Sequence, residues 1–265
     1  MSDAVLVEAV GKGITQITMN RPDRLNAMNY DLVAGLHDAL DAVAADRTCR
    51  VIVLTGAGRG FCAGLDLTEG ASPPEARGLG RAQAGMTVQK LIAGLVPKMR
   101  TTPQPIIAAV NGAASGGGLA LALGSDIRIA GASAKFNVAF VKIGLSGCDI
   151  GVSWLLPRLV GASRAHEMML TGRLIDADEA ERIGLVVRVV PDDELLDAAL
   201  ETAEQIVGNS PFGIWMTKEV MWSNLETGSL QAGIDLENRT QVLASTSGEM
   251  AEAITAFLEK RTANY

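Results

Sequence analysis

Two glycine-rich segments are the parts of this sequence whose residue types and spacing could do chemistry. The first, GAGRGFCAGLDL, covers residues 56–67, and the second, VNGAASGGGL, covers residues 110–119. Glycine lets a backbone N–H approach a ligand from directions that other residues resist, and a helix beginning near Gly116 would aim its free N–H groups the same way. Two such turns can offer two N–H groups to one oxygen, forming an oxyanion hole. Each segment alone is equally consistent with a tight turn that packs a helix on a sheet.

Other common catalytic signatures are absent from the sequence. It contains no GxGxxG after a strand, no GxxxxGK[ST], no HExxH and no GxSxG. His37 and His166 are the two histidines, and neither has a second ligand at metal-binding spacing, which favours structural roles for both. The sequence therefore predicts neither a metal site nor a histidine-based triad.

The composition excludes several classes of protein. The chain has 265 residues, of which 48% are apolar and 20% charged, and its formal net charge is −7. So large an apolar fraction excludes a disordered chain, and the acidic balance argues against binding to nucleic acid, which needs a basic surface. The three cysteines lack CxxC spacing and no signal peptide is recognisable. We therefore expect a protein of a reducing compartment, the cytoplasm.

Residues 101–125 carry no charge, which raises the question of a membrane span. The segment contains Pro103, Pro105, Asn111 and five glycines, and it divides into a strand, a turn and a helix. A spanning helix needs about 20 consecutive, mostly apolar residues. We therefore expect a buried core element here and no membrane partner.

The apolar pattern of the first 150 residues alternates strands with helices, which favours an α/β fold with parallel strands. The predicted strands are Val5–Ala9, Ile14–Met19, Val51–Thr55, Ile106–Val110 and Ile127–Ala130. One helix is predicted after Asn29, one from Ala82 to Met99 and one from Gly116 to Leu123, with a mobile loop at Thr68–Gly80. The rest is predicted to be mainly helical, at Ser153–Val160, Ser163–Leu170, Asp176–Ile183, Asp193–Val207, Pro211–Leu225 and Gly248–Glu259, with one strand at Leu185–Val190.

Six segments, in order, resemble the crotonase (enoyl-CoA hydratase/isomerase) superfamily over essentially the whole chain. Besides the two glycine-rich turns, they are NRPDRLNAM, SDIRIAGASAKF, LTGRLIDADEAERIGLVVRVV and AFLEKRTANY. The resemblance implies a crotonase-like (Clp protease/crotonase) α/β spiral of β-β-α units with a helical C-terminal trimerisation region. Residues 1–200 would form the core with a CoA-thioester site, and residues 201–265 would form the oligomerisation region. The resemblance also implies a homotrimer or a dimer of trimers. It further implies that coenzyme A is part of the substrate and that no separate cofactor is needed.

The resemblance also implies roles for particular residues. The backbone N–H groups of Ala63 and Gly117 would form the oxyanion hole and stabilise a thioester enolate; loss of one such donor typically costs about 3–4 kcal/mol. Arg24 and Lys260 would supply local positive charge for the CoA phosphates. The implied CoA-binding residues are Arg24, Ala27, Gly64, Asp66, Leu67, Phe257 and Lys260.

The sequence departs from the family pattern at two catalytic positions. Family hydratases use two glutamates, and the matching positions here are Ala120 and Phe140. Neither side chain can accept a proton, so the usual hydration pair is missing. Asp149 resembles an aspartate of dienoyl-CoA isomerases and could move a proton between two carbons of the substrate. The alternative is that Asp149 caps the following helix.

These observations favour an enzyme of acyl-CoA metabolism that stabilises a thioester enolate. Double-bond isomerisation matches the residues best, and hydration is the family's default reaction. A second hypothesis is a non-catalytic acyl-CoA-binding homologue that has lost both glutamates. A Clp-type serine protease using Ser115 is disfavoured, because His166 lies in the wrong motif.

Overall fold

Ten strands form two sheets in the computed structural model, which describes residues 3–265. The strands are β1 Val5–Gly11, β2 Ile14–Met19, β3 Val51–Gly56, β4 Gly60–Cys62, β5 Ile106–Val110, β6 Ala113–Ser115, β7 Ile127–Gly131, β8 Lys135–Asn137, β9 Ile175–Asp176 and β10 Arg188–Val190. The larger sheet has the order β1-β2-β3-β5-β7-β10, and the smaller has the order β4-β6-β8-β9. Among the paired strands of the described chain, only β1–β2 and β8–β9 are antiparallel.

Eleven α-helices connect and cover these strands within residues 3–265. They are α1 Tyr30–Ala45, α2 Arg81–Ala93, α3 Leu95–Thr101, α4 Gly117–Gly124, α5 Val152–Val160, α6 Ala162–Thr171, α7 Ala177–Arg182, α8 Leu195–Val207, α9 Pro211–Asn224, α10 Leu230–Ser245 and α11 Glu249–Glu259. Three successive units, β3-β4-α2, β5-β6-α4 and β7-β8-α5, each send one strand into the larger sheet and the next into the smaller sheet before the helix follows, whereas β1 and β2 of the first unit both lie in the larger sheet. The predicted α/β spiral of β-β-α units is confirmed.

Both faces of the larger sheet are covered, which explains its continuous apolar strands. Alternate residues of β3 and β5 point to opposite faces. Ile52 and Ile106 belong to the main core, with side chains of α1, α3 and α4. Val53 and Ile107 pack instead with Leu195 and other residues of α8.

Several predicted bounds differ from those in the structure, including the strand predicted at Leu185–Val190, which begins only at Arg188. The helix predicted from Ala82 to Met99 is two helices, because α2 ends at Ala93 and α3 begins at Leu95, with Gly94 between them. Residue 200, where we expect the core to end, lies inside α8, and the division into a core and an oligomerisation region stays a prediction. The predicted loop Thr68–Gly80 contains a short 3-10 turn at Pro74–Ala76.

A buried ion pair fastens α9 to the sheet. Lys218 Nζ lies 2.9 Å from Asp126 Oδ2 and donates to the carbonyls of Met99 and Gln104 at 2.9 and 2.8 Å. Burial lowers the pKa of Lys218. Asp126 also accepts hydrogen bonds from Ile106 N and Trp222 Nε1. Lys218 and Asp126 therefore neutralise each other in the protein interior, where an unpaired charge would strongly destabilise the fold.

None of the helices in residues 3–265 has the length and apolar character that crossing a membrane requires.

Candidate active site

The spiral places the two glycine-rich turns side by side. Strands β4 and β6 are parallel neighbours, with Gly60 opposite Ala113 and Cys62 opposite Ala114. The turns approach so closely that a Cβ atom at Gly118 would lie 1.9 Å from the carbonyl oxygen of Cys62. Gly64 has a φ of +96°, and a Cβ there would lie 2.9 Å from the carbonyl oxygen of Ser115. The glycines are therefore required by backbone packing and by backbone conformation.

Two buried or half-buried asparagines hold the first turn in place. Asn26 Nδ2 donates to the carbonyls of Ala57 and Gly60, and Asn26 Oδ1 accepts from Arg21 N. Asn111 Nδ2 donates to the carbonyl of Gly56 at 2.8 Å. Sequence reasoning missed both roles, although a polar residue inside NRPDRLNAM and another after an apolar strand were available signals.

The backbone hydrogen bonds at these turns do not agree with the predicted donor pair of Ala63 and Gly117. Ala63 N donates to the carbonyl of Leu25 at 3.0 Å, so the prediction that it binds the substrate oxygen is wrong. Met28 N donates to the carbonyl of Gly64, and Asp66 N donates to the carbonyl of Met28. Since successive N–H groups of an extended chain point to opposite sides, the intervening N–H of residue 65 faces away from Met28.

The N–H groups of Leu65 and Gly117 have no protein acceptor anywhere in residues 3–265. Gly117 is the first residue of α4, where backbone N–H groups lack partners within the helix. The two turns meet here, because a Cβ at Gly64 would lie 3.7 Å from Gly117 N.

A cavity of about 140 Å³ lies beside these two residues. Its walls are mainly apolar, and Asp149 is the one ionisable side chain among them in the described chain. The lining residues are Met28, Ala63, Gly64, Leu65, Leu67, Gln89, Ile92, Gly116, Gly117, Ala139, Phe140, Ile143, Leu145, Asp149 and Ile150.

Asp149 does not cap the helix that follows it. The residue at the N-terminal cap of α5 is Gly151, which has a φ of +81° and makes no side-chain capping bond. The Asp149 carboxylate is half-buried, and its Oδ1 accepts from Ile150 N at 2.8 Å and from Gln89 Nε2. Within residues 3–265, Oδ2 of Asp149 accepts no hydrogen bond. The carboxylate can therefore present one oxygen to a ligand.

The two positions that lack glutamates are placed differently. Ala120 is fully buried in the main core and does not line the cavity. Phe140 lines the cavity, and its ring lies 3.4 Å from where a Cβ of Gly116 would be. The second family position therefore contributes an apolar wall.

Asp66 supports the turn, and a CoA contact by this residue stays a prediction. Its Oδ1 accepts from the N–H groups of Thr68 and Glu69, both at 3.0 Å. Its Oδ2 lies 3.0 Å from Arg21 Nη1, and Arg21 also pairs with Glu69 at 2.9 Å. The N–H of Glu69 is the largest cause that holds the pKa of Asp66 below its ordinary value. Both oxygens are thus used inside the protein.

Replacing Asp66 by asparagine should lower the free energy of unfolding at pH 7 by about 1.5–3 kcal/mol, the range for hydrogen bonds to charged groups. Since the folded pKa lies below the ordinary 3.8, this stabilisation is present above that pH and is lost as the pH falls through the folded value. Denaturant unfolding from pH 7 down to pH 3 checks this, with the exposed Asp23→Asn as control. An equal difference at every pH would contradict the role of the charge.

The remaining predicted CoA-binding residues lie in two places. Arg24 is exposed on the 3-10 turn Pro22–Arg24, and Leu67 is 69% exposed at the cavity. Phe257 and Lys260 lie at the end of α11, where Phe257 is 83% exposed, and neither lines the cavity. A CoA contact by Arg24, Ala27, Phe257 or Lys260 stays a prediction, as does the oligomeric state.

Comparisons with known proteins agree with this architecture. The sequence model of the enoyl-CoA hydratase/isomerase family matches residues 9–265. The chain is 45% identical to the probable enoyl-CoA hydratase EchA12 of Mycobacterium tuberculosis, over 97% of this chain and 90% of that protein. It is 40% identical to the 1,2-epoxyphenylacetyl-CoA isomerase of Escherichia coli, over 98% and 97% of the two chains.

Solved structures are similar over the same length. The crystal structure of a probable enoyl-CoA hydratase/isomerase from Mycobacterium abscessus matches with a TM-score of 0.93 and 40% identity, over 99% and 98% of the two chains. A monofunctional enoyl-CoA isomerase from M. smegmatis matches with a TM-score of 0.75 and 42% identity, over 88% and 99%. The fold and site define an acyl-CoA enzyme of the crotonase superfamily. The chain belongs to the enoyl-CoA hydratase/isomerase family.

Proposed function

We propose that this enzyme moves the double bond of an enoyl-CoA thioester, using Asp149 as its single acid–base group. The observation that carries the proposal is a cavity that is lined by one carboxylate and by Leu65 and Gly117, whose backbone N–H groups have no protein acceptor in residues 3–265. The N–H groups of Leu65 and Gly117 would bind the thioester oxygen. Their contribution grows as that oxygen becomes an enolate, which is the requirement for catalysis.

The proton balance of this reaction needs only one base. Asp149 Oδ2 takes a proton from the α-carbon of a 3-enoyl thioester, and the electron pair delocalises through the double bond onto the thioester oxygen. The protonated carboxyl group then returns the proton to the γ-carbon, which leaves a 2-enoyl thioester and an ionised Asp149. The apolar walls exclude water from the intermediate.

Hydration needs a second acid–base group, which the residues lining this cavity do not provide. Water must be activated on one carbon while a proton is delivered to the next, and the two positions that supply glutamates in family hydratases are Ala120 and Phe140. The E. coli and M. smegmatis relatives are named as isomerases, whereas the M. tuberculosis relative is named as a probable hydratase. The residues of this chain favour the reaction for which the two isomerases are named.

The CoA part of the substrate would lie outside the acyl cavity, with its phosphates near Arg24. The family resemblance implies that Lys260 reaches the CoA held by a neighbouring subunit. No separate cofactor enters this scheme. Within residues 3–265, no group of three or more His, Cys, Asp or Glu side chains is arranged to hold a metal ion.

The test is a panel of 2-enoyl- and 3-enoyl-CoA thioesters of increasing acyl size, followed by chromatography and mass spectrometry. We expect interconversion of the double-bond isomers without gain of mass. Formation of 3-hydroxyacyl-CoA at a comparable rate, seen as the added mass of one water, would contradict the proposal. Tight binding without turnover of any thioester would favour the non-catalytic acyl-CoA-binding homologue.

A further inference from the structure

Gln89 is the one side chain in residues 3–265 that donates a hydrogen bond to the proposed base. It lies on α2, and its Nε2 donates to Asp149 Oδ1. The amide also lines the acyl cavity, one helical turn before Ile92, which lines the same cavity. No residue of the family motifs discussed above contributes this contact.

Both donors at Asp149 act on the same oxygen. Ile150 N donates to Oδ1 from the adjacent peptide, and Gln89 Nε2 donates to Oδ1 from a separate helix. A carboxylate held by only one of them could rotate about its side-chain bonds. Two donors on one oxygen fix the plane of the group and leave Oδ2 as the oxygen that can exchange a proton.

We propose that Gln89 is a positioning residue that orients Asp149 for proton transfer, which rests on the proposed function of Asp149. The helix that contributes to the acyl cavity thereby also aligns the base. Gln89 forms no bond with the reacting carbons in this scheme. Its effect is to raise the fraction of time that Oδ2 is directed at the substrate.

Replacing Gln89 by methionine keeps the length of the side chain and removes the donor. We expect the turnover number to fall about tenfold or more, which corresponds to the loss of one charge-assisted hydrogen bond. KM should change little, because the thioester contacts remain. Gln83→Met is the matched control, since Gln83 is an exposed glutamine on the same helix that does not line the cavity.

A double-mutant cycle separates positioning from a structural role. If Gln89 acts through Asp149, Gln89→Met should cause no further loss in an Asp149→Asn background, measured as slow exchange of substrate protons into D2O. Thermal midpoints should match between Gln89→Met and Gln83→Met. If Asp149→Asn shows no exchange at all, the decision rests on the separate effects of Gln89→Met on turnover number and KM.

The outcomes distinguish this inference from the proposed function. An unchanged turnover number in Gln89→Met, or an equal loss in both backgrounds, would overturn the role of Gln89 while leaving Asp149 as the base. A rise in KM without loss of turnover would also overturn it, because that result indicates a binding contact. Full activity of Asp149→Asn would overturn the proposed function itself.

Discussion

Replacing Asp149 by asparagine is expected to lower the turnover number for double-bond isomerisation by about 10²–10⁴-fold, the usual contribution of a general base. Asparagine has nearly the same shape and still has an oxygen that can accept from Ile150 N and Gln89 Nε2. It cannot take up a proton at the position where Oδ2 lies. Initial rates with a 3-enoyl-CoA thioester measure the loss, and calorimetric titration with the 2-enoyl product should give a binding constant close to wild type.

Asp178→Asn is the control for this substitution. Asp178 is exposed in the first turn of α7 and does not line the cavity, so its replacement should leave the rate unchanged. Turnover by Asp149→Asn at the wild-type rate would remove Asp149 from the mechanism. Such a result would leave the oxyanion site intact and direct the search to a carboxylate that enters the cavity from elsewhere.

The long strands of the larger sheet could be predicted from sequence because burial on both faces gives uninterrupted apolar runs. The predicted strands Ile14–Met19 and Ile106–Val110 have the bounds found in the structure. The strands of the smaller sheet, such as Gly60–Cys62 and Ala113–Ser115, were not predicted. Three residues are too few to show a period of two, and these strands are extended because a neighbour pairs with them.

The helix α10 was also missed, for a different reason. Leu230 and Val242 are 80% and 64% exposed in the single chain, so its apolar residues do not mark a face buried against the core. The helix instead packs against α9 and α11. An amphipathic pattern reports burial against the rest of the same chain, and it fails where a helix is mainly exposed.

The site was predicted in its residue types more accurately than in its individual atoms. Asp149 and Gly117 both line the cavity. They could be predicted because a carboxylate and a glycine at a helix N-terminus can be recognised from the sequence. Ala63 was wrong, since the choice among neighbouring N–H groups depends on backbone direction, and the bonds of Met28 to Gly64 and Asp66 set that direction. The sequence does not show which of these N–H groups is left without an acceptor, because the positive φ of Gly64 changes the direction of the backbone at this turn.

Replacing Gly118 by alanine should damage both stability and catalysis. The added methyl group would lie 1.9 Å from Cys62 O and 2.7 Å from Cys62 C, both backbone atoms that cannot rotate away. Helix α4 must therefore move away from β4, and overpacking of this kind costs about 1–3 kcal/mol or more. The same movement displaces Gly117 N relative to Leu65 N. Since a shift of about 1 Å can cost about 10²-fold in rate, we expect kcat/KM to fall by at least that factor.

Gly85→Ala separates this effect from the general consequences of replacing a glycine. Gly85 lies within α2, and a Cβ there would meet no atom within 4 Å, so this position should tolerate alanine with unchanged activity. Circular dichroism and thermal unfolding establish the folded fraction, so that the rate of Gly118→Ala is expressed per folded molecule. A folded Gly118→Ala protein with wild-type kcat/KM would mean that the close approach of α4 to β4 does not set the distance between the two N–H groups. The oxyanion site would then have to be built from donors that this contact does not control.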